Sequence, residues 1–264
     1  MANQGVSGIA MKRATQASDY IYLLTALLFV ITAIAGFAPT SLGLVSRVVS
    51  GQQAFPPFIV HFHAASFSLW LLLLLAQTTL MYIKRPELHK RLGLVSFVLA
   101  PCILISMLGI EVFYVNHALA PTDLSPEQAM EYKRNISDIL LIHGVSYLFF
   151  PTFYLWAILV RQKDNESHKR LMILATLVLM IPALGRLIGF SQVLPDLGLS
   201  VIDARHFYML VLIVPAVVHD FVKNGMPHRT YLIGLALIGI WVVAAHYLWG
   251  SPWWIETAPK LFGV

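Results

Sequence analysis

The sequence predicts an all-α integral membrane bundle of seven transmembrane helices, with the N-terminus cytoplasmic and the C-terminus periplasmic. Three observations predict it: composition, the length of the apolar runs, and the placement of the basic residues. Of 264 residues, 58% are hydrophobic and 12% charged, with mean hydropathy +0.74. That leaves too little polar surface to cover a water-soluble globule of this size. Apolar runs near the ~20 residues needed to cross the hydrocarbon occur at about 20–40, 57–83, 92–116, 137–160, 170–193, 204–222 and 230–249, one transmembrane domain over 1–264. Lys and Arg cluster at 12–13, 84–91, 161–170 and 223–229, against Arg47, Lys133, Arg134, Arg205 and Lys260 on the other side. The excess places the clusters in the cytoplasm. The net charge of +5 and pI near 9.4 therefore read as topology signals that meet membrane lipids, and nucleic acid is set aside as a partner.

The first run is too long for a signal-peptide core and is read as a retained helix. Between the third and fourth runs, Ser125-Pro126-Glu127-Gln128 is a helix-start signature, which predicts a short surface helix within 117–136. Trp249, Trp253 and Trp254 fit an outer aromatic belt. The lone Cys102 excludes an intrachain disulfide and any multi-cysteine metal site.

The tetrapeptide His-Lys-Arg-Leu appears at His89 to Leu92 and at His168 to Leu171, each time between two spans, with a looser echo at His228-Arg229. Each follows a helix bearing a histidine near its outer end: His63 stands 26 residues before His89, His143 stands 25 before His168, and His206 stands 22 before His228. One N-terminal helix followed by three pseudo-repeated hairpins is the implied plan. By themselves His89, His168 and His228, like His219-Asp220, suit topology and headgroup contact.

The remaining unusual residues gather in the outer half: His61, His63, Glu111, Asp138, His143, Arg186, His206 and His246. Ionisable groups at membrane depth are costly unless they pair or line a cavity, so their common level marks a site. Histidines on separate helices with a nearby carboxylate suit iron, copper or zinc, and His63, His143 and His206 form the best trio. His61 and His63 diverge by roughly 200° on a helix and cannot both face one ion. Glu111 and Asp138 are candidate ligands or proton acceptors, and Arg186 is a candidate partner for either acid or for an anionic substrate group. Pairs from His63, His143, His206 and His246 can also supply the two axial ligands of one haem b. A two-haem bundle with ligands fourteen apart on one helix is not expected, because Ala76, Gln77, Trp156 and Ala157 occupy the positions thirteen and fourteen beyond His63 and His143.

His61-Phe-His63 with its apolar run to Gln77, Leu88-His-Lys-Arg-Leu-Gly93, and Ser167-His-Lys-Arg-Leu continuing to Pro182-Ala-Leu-Gly-Arg186 resemble an uncharacterised group of bacterial multi-pass membrane proteins. The resemblance implies a bacterial inner-membrane protein and names no reaction. The expectation is a redox protein, a metal-dependent oxidoreductase, holding a transition metal or one haem b in a periplasm-facing cavity. It would serve a redox partner or a small hydrophobic substrate. The alternatives are a zinc hydrolase acting on a lipid or amide, with metal-bound water as nucleophile, and a non-enzymatic transporter or assembly subunit.

Overall fold

The computed structural model describes residues 3–118, 125–189, 194–195 and 197–262, and side chains from Tyr20 onward apart from 117, 118 and 262. The elements are α1 (Asn3–Val49), α2 (Phe58–Tyr82), α3 (Pro86–Gly93), α4 (Ser96–Phe113) running into a π turn (Tyr114–Ala118), α5 (Pro126–Val160), α6 (Asn165–Val178), α7 (Ile181–Gly189), α8 (Val201–Asn224), α9 (Arg229–Leu248), α10 (Pro252–Thr257) and a closing 3-10 turn (Pro259–Phe262). No strand occurs among the described residues. Six helices are long and apolar enough to cross a membrane, and the bent pair α6 and α7 makes a seventh when counted as one span. Their outward faces carry Ile31, Leu69, Ile105, Leu155, Val214 and Ile240, all exposed. Only lipid makes such a surface stable in a multi-pass chain.

Local chemistry sets the boundaries. Pro57, in extended conformation, precedes α2, and Pro86 opens the amphipathic α3, with Glu87 in its first turn and Lys90 and Arg91 in its last. Gly225, at φ 77°, ends α8 in the left-handed conformation. The helix-start signature at Ser125 forms a full capping box, the Ser125 hydroxyl accepting from Gln128 N and Gln128 Oε1 accepting from Ser125 N.

The box does not start a separate surface helix as expected. It starts α5, which runs unbroken to Val160. No Gly or Pro interrupts 127–137, and extending a helix is cheaper than nucleating another. At ~1.5 Å per residue α5 is longer than the hydrocarbon is thick, so its first turns project beyond it. The expected surface segment otherwise lies at 119–124, outside the described residues. Two further boundaries move: α1 continues past 40 to Val49, and the third run begins only after a turn at Leu94 and Val95 separates α3 from α4. The expected end of the fifth run at 193 lies outside the described residues.

The fifth run is bent by 44° between α6 and α7. Pro182 has no N–H to give Val178 O, the carbonyl four residues earlier, and the Ser146 hydroxyl of α5 donates to that oxygen instead at 2.5 Å. Leu179 and Met180 close tighter turns onto Thr176 O and Leu177 O. Apolar all round, this broken helix is the centre of the bundle: Leu171 and 173–181 are buried against α1, α5, α8 and α9. Gly36 lets α1 reach α7, since a Cβ there would lie 2.5 Å from Ala183 O. Gly144 likewise admits the Trp241 ring between α5 and α9.

At the end of the bundle carrying the basic clusters, Arg170 and Asp220 form a fork, Nε to Oδ2 at 2.7 Å and Nη2 to Oδ1 at 2.5 Å, with side chains 4% and 3% exposed. Asp220 Oδ2 also accepts from His228 N, and the Thr230 hydroxyl donates to Ser167 Oγ, so α6, α8 and α9 are fixed together. Asp164 caps α6. The N–H and hydroxyl of Ser167, with Arg229 beside them, hold its carboxyl down at about 2.

Asp220→Ala takes from a buried guanidinium both partners of its fork, leaving it only Glu166, and is expected to cost about 3–5 kcal/mol. Ser146→Ala, which orphans only the Val178 carbonyl, should cost about 1–3 kcal/mol. Unfolding in detergent micelles measures both, and equal losses would contradict this ranking.

Candidate functional site

The candidate residues divide into two groups. The first is built on α2, α4 and α5. Ser106 donates its hydroxyl proton to Ile103 O at 2.9 Å, so toward His63, at 3.3 Å from Nδ1, its oxygen is the acceptor. His63 therefore carries its proton on Nδ1 and its lone pair on Nε2. His143 Nδ1 lies 2.9 Å from Glu111 Oε1, with Glu111 buried and the His143 side chain 27% exposed. Here too the carboxylate takes the Nδ1 proton, the arrangement that orients an imidazole for ligation through Nε2. His63 stands within electrostatic reach of Glu111, His143 and Arg186. Tyr147, one turn beyond His143, donates to Met107 O at 3.0 Å and faces the same carboxylate.

The second group is built on α8 and α9. His206, 2% exposed, places Nδ1 2.7 Å from Ile202 O of its own helix, and its Nε2 is buried without a hydrogen-bond partner. Its charged neighbours are Asp203, Arg205 and His246, not His63 or His143. Asp203 accepts from the Ser200 hydroxyl at 2.6 Å and meets His246 Nε2 at 3.3 Å. A groove of about 370 Å³ between α8 and α9 is lined by His206 and Asp203 at one end and by Leu210, Leu235, Ile238 and Val242 along its length. A bare imidazole nitrogen at the end of an apolar groove can accept a hydrogen bond from the hydroxyl of an amphiphile.

The structure thus brings His63, His143, Glu111 and Arg186 together and places His206 with His246 elsewhere. His61 is exposed and stacks on Phe55 with ring centroids 4.8 Å apart. Asp138, buried, accepts the Gly250 N–H at 3.1 Å and holds the turn after α9. Arg186 donates to Pro182 O at 3.0 Å and lies 4.3 Å over the Phe37 ring. Among the described residues no three His, Cys, Asp or Glu side chains converge in a way that could hold a metal ion. Sequence reasoning missed Ser106 and Asp203. A lone serine in an apolar helix carries no signal of its own, whereas Asp203 stood three residues before His206 beside the Ser200 cap.

Comparison with family models, with curated proteins and with solved structures finds no match to this chain. Its helices, several of them long and apolar enough to cross a membrane, define a multi-pass helical membrane protein.

The pairing of Glu111 with His143 is measurable. A cycle of His143→Leu, Glu111→Leu and the double variant should give a coupling of about 0.5–3 kcal/mol in micellar unfolding. His143→Leu alone should be the worst of the three, because it strands a buried carboxylate. Additive losses would show that the two side chains do not depend on each other.

Proposed function

We propose that this chain is a bacterial inner-membrane redox protein that holds a b-type haem between His63 and His143, on the periplasmic side of a bundle whose N-terminus is cytoplasmic. The observation that carries the reading is the matched state of the two imidazoles. They come from different helices at one depth, and each has Nδ1 tied to an oxygen acceptor and Nε2 left as the coordinating atom. A porphyrin supplies four of the six ligands of its iron and asks the protein for only two. A zinc hydrolase would need three protein ligands and an open position, a demand the described residues meet less well. Glu111 raises the basicity of His143 through the shared proton, and Arg186 offers a cation to a carboxylate of the bound group. The basic clusters at one end support the orientation.

Full-length protein made with haem precursor supplied and purified without chelator should show a Soret band and bound iron. His63→Ala and His143→Ala should each remove the haem of this site. Colourless protein with stoichiometric zinc would turn the reading to the hydrolase, and metal-free protein to a transporter or assembly subunit.

A further inference from the structure

The histidines of the bundle leave their second nitrogen in different surroundings. His89 and His168 give Nδ1 to the backbone oxygens of Gln77 and Ala157, at 3.4 and 2.9 Å. His206 opens onto a groove. Its Nδ1 donates to Ile202 O at 2.7 Å, so the single proton of the neutral ring is on Nδ1 and Nε2 carries a lone pair. That lone pair is buried and meets no donor among the described residues. A buried acceptor without a partner is a standing cost that a donor from outside removes.

The groove of about 370 Å³ between α8 and α9 begins beside this nitrogen. A second groove of about 200 Å³ continues it along α8, sharing Leu210 and Leu235 and reaching Val217 and Val218, with only Leu, Ile and Val in its lining. Asp203 and Val218 are fifteen residues apart (218 − 203 = 15), about 22 Å along the helix axis. That is most of the hydrocarbon thickness. Phe207, Leu210 and Val214 are exposed along this path, so in a bilayer the groove opens sideways to lipid. At roughly 30 Å³ for each water-sized group, the two parts hold about twelve and about seven heavy atoms. This is room for one hydrocarbon chain with a small head.

The head end selects the chemistry of that head. Asp203 lies beside His206 in the lining, accepting the Ser200 hydroxyl at 2.6 Å and facing His246 Nε2 at 3.3 Å. The two polar side chains that line the groove are therefore acceptors. Neither Lys nor Arg lines it. Arg205 turns toward α7, where its Nε would lie 2.7 Å from a Cβ at Gly185. A phosphate or a fatty carboxylate would leave water to meet a carboxyl group instead of a cation, whereas a hydroxyl loses little on leaving water and gives Nε2 its missing proton. The acyl chain of a phospholipid can fill the apolar length but has no proton to donate.

We propose that the groove between α8 and α9 binds a single-chain lipid with an uncharged hydroxyl head, a long-chain alcohol, whose hydroxyl donates to His206 Nε2 and whose chain lies along α8 toward the basic end. The site goes beyond the haem reading. It shares no side chain with the His63 and His143 pair and stands whether or not that pair holds haem.

Gly239 makes the test clean. It lines the groove, and a Cβ there would meet nothing within 4 Å. Gly239→Leu therefore places its side chain in open space, and removing a glycine from the interior of α9 does not weaken the helix. Full-length protein is placed in nanodiscs of phosphatidylcholine, a lipid without a hydrogen-bond donor, together with equal amounts of hexadecanol and its methyl ether. Native mass spectrometry then counts each on the released protein. Wild type should retain one alcohol per chain and prefer it to the ether about tenfold, the effect of one hydrogen bond to a buried acceptor. His206→Leu should hold alcohol and ether equally. Gly239→Leu should lose both, with a thermal midpoint no lower than that of wild type. Equal retention of the two by wild type, or a preference that survives His206→Leu, would overturn the hydroxyl contact. Alcohol binding undiminished in Gly239→Leu would show that the groove is not the site, and wild type that retains neither compound would remove the proposal altogether. Displacement of the alcohol by hexadecanoate would overturn the uncharged head.

Discussion

The bundle depends on burying the Arg170 and Asp220 fork. Two charges removed from water are tolerable only when every polar atom finds a partner, and here the partners come from three helices. Arg170 spends Nε and Nη2 on Asp220 and Nη1 on Glu166, while Asp220 takes in addition the backbone N–H of His228. The ring of Tyr231 lies under the guanidinium, its centroid 5.7 Å from Cζ. The helix that carries Arg170 packs against α1, α5, α8 and α9, so the fork fixes the start of this central helix and with it the register of α8 and α9. His168 sits two residues before Arg170 and inherits that placement.

A second constraint follows from the break in the same helix. Pro182 makes α6 turn away as α7, and Ser146 repairs the carbonyl that Pro182 abandons. Ser146 is one turn beyond His143 on α5, and Thr176, just before the break, takes the indole N–H of Trp70 at 3.0 Å from α2. The hydrogen bonds beside the kink thereby tie α5 to the broken helix one turn from His143 and α2 to it two turns from His63. Fold and site share hydrogen bonds here, a coupling expected where lipid offers no alternative partner for a polar group.

The histidines are distinguished by what Nδ1 does. On His63, His89, His143 and His168 it is tied to an oxygen acceptor outside the histidine's own helix, on His206 to a carbonyl of the same helix, and on His228 it faces both the N–H and the hydroxyl of Thr230 in the first turn of α9. Residue type alone cannot separate these cases, because the tautomer is set by the neighbour.

The sequence by itself determined an all-helical chain apolar enough for lipid, with six or seven runs long enough to cross it, and it predicted a concentration of ionisable groups near one level. Those follow from composition, run length and burial cost, which are local quantities. It also marked His63, His143 and Glu111, because a charge in an apolar run stands out. Tertiary structure decided which marked residues meet. It put His206 with Asp203 and His246 and away from His63, gave Asp138 to a backbone turn, merged the expected surface helix into α5 and bent the fifth crossing. It also brought in Ser106 and the carbonyls of Gln77 and Ala157, which have no sequence signature because every residue has a carbonyl and apolar helices often carry a serine. Partnership across helices depends on rotation and depth in the packed bundle, and a one-dimensional pattern fixes the face of each helix without fixing which face it meets.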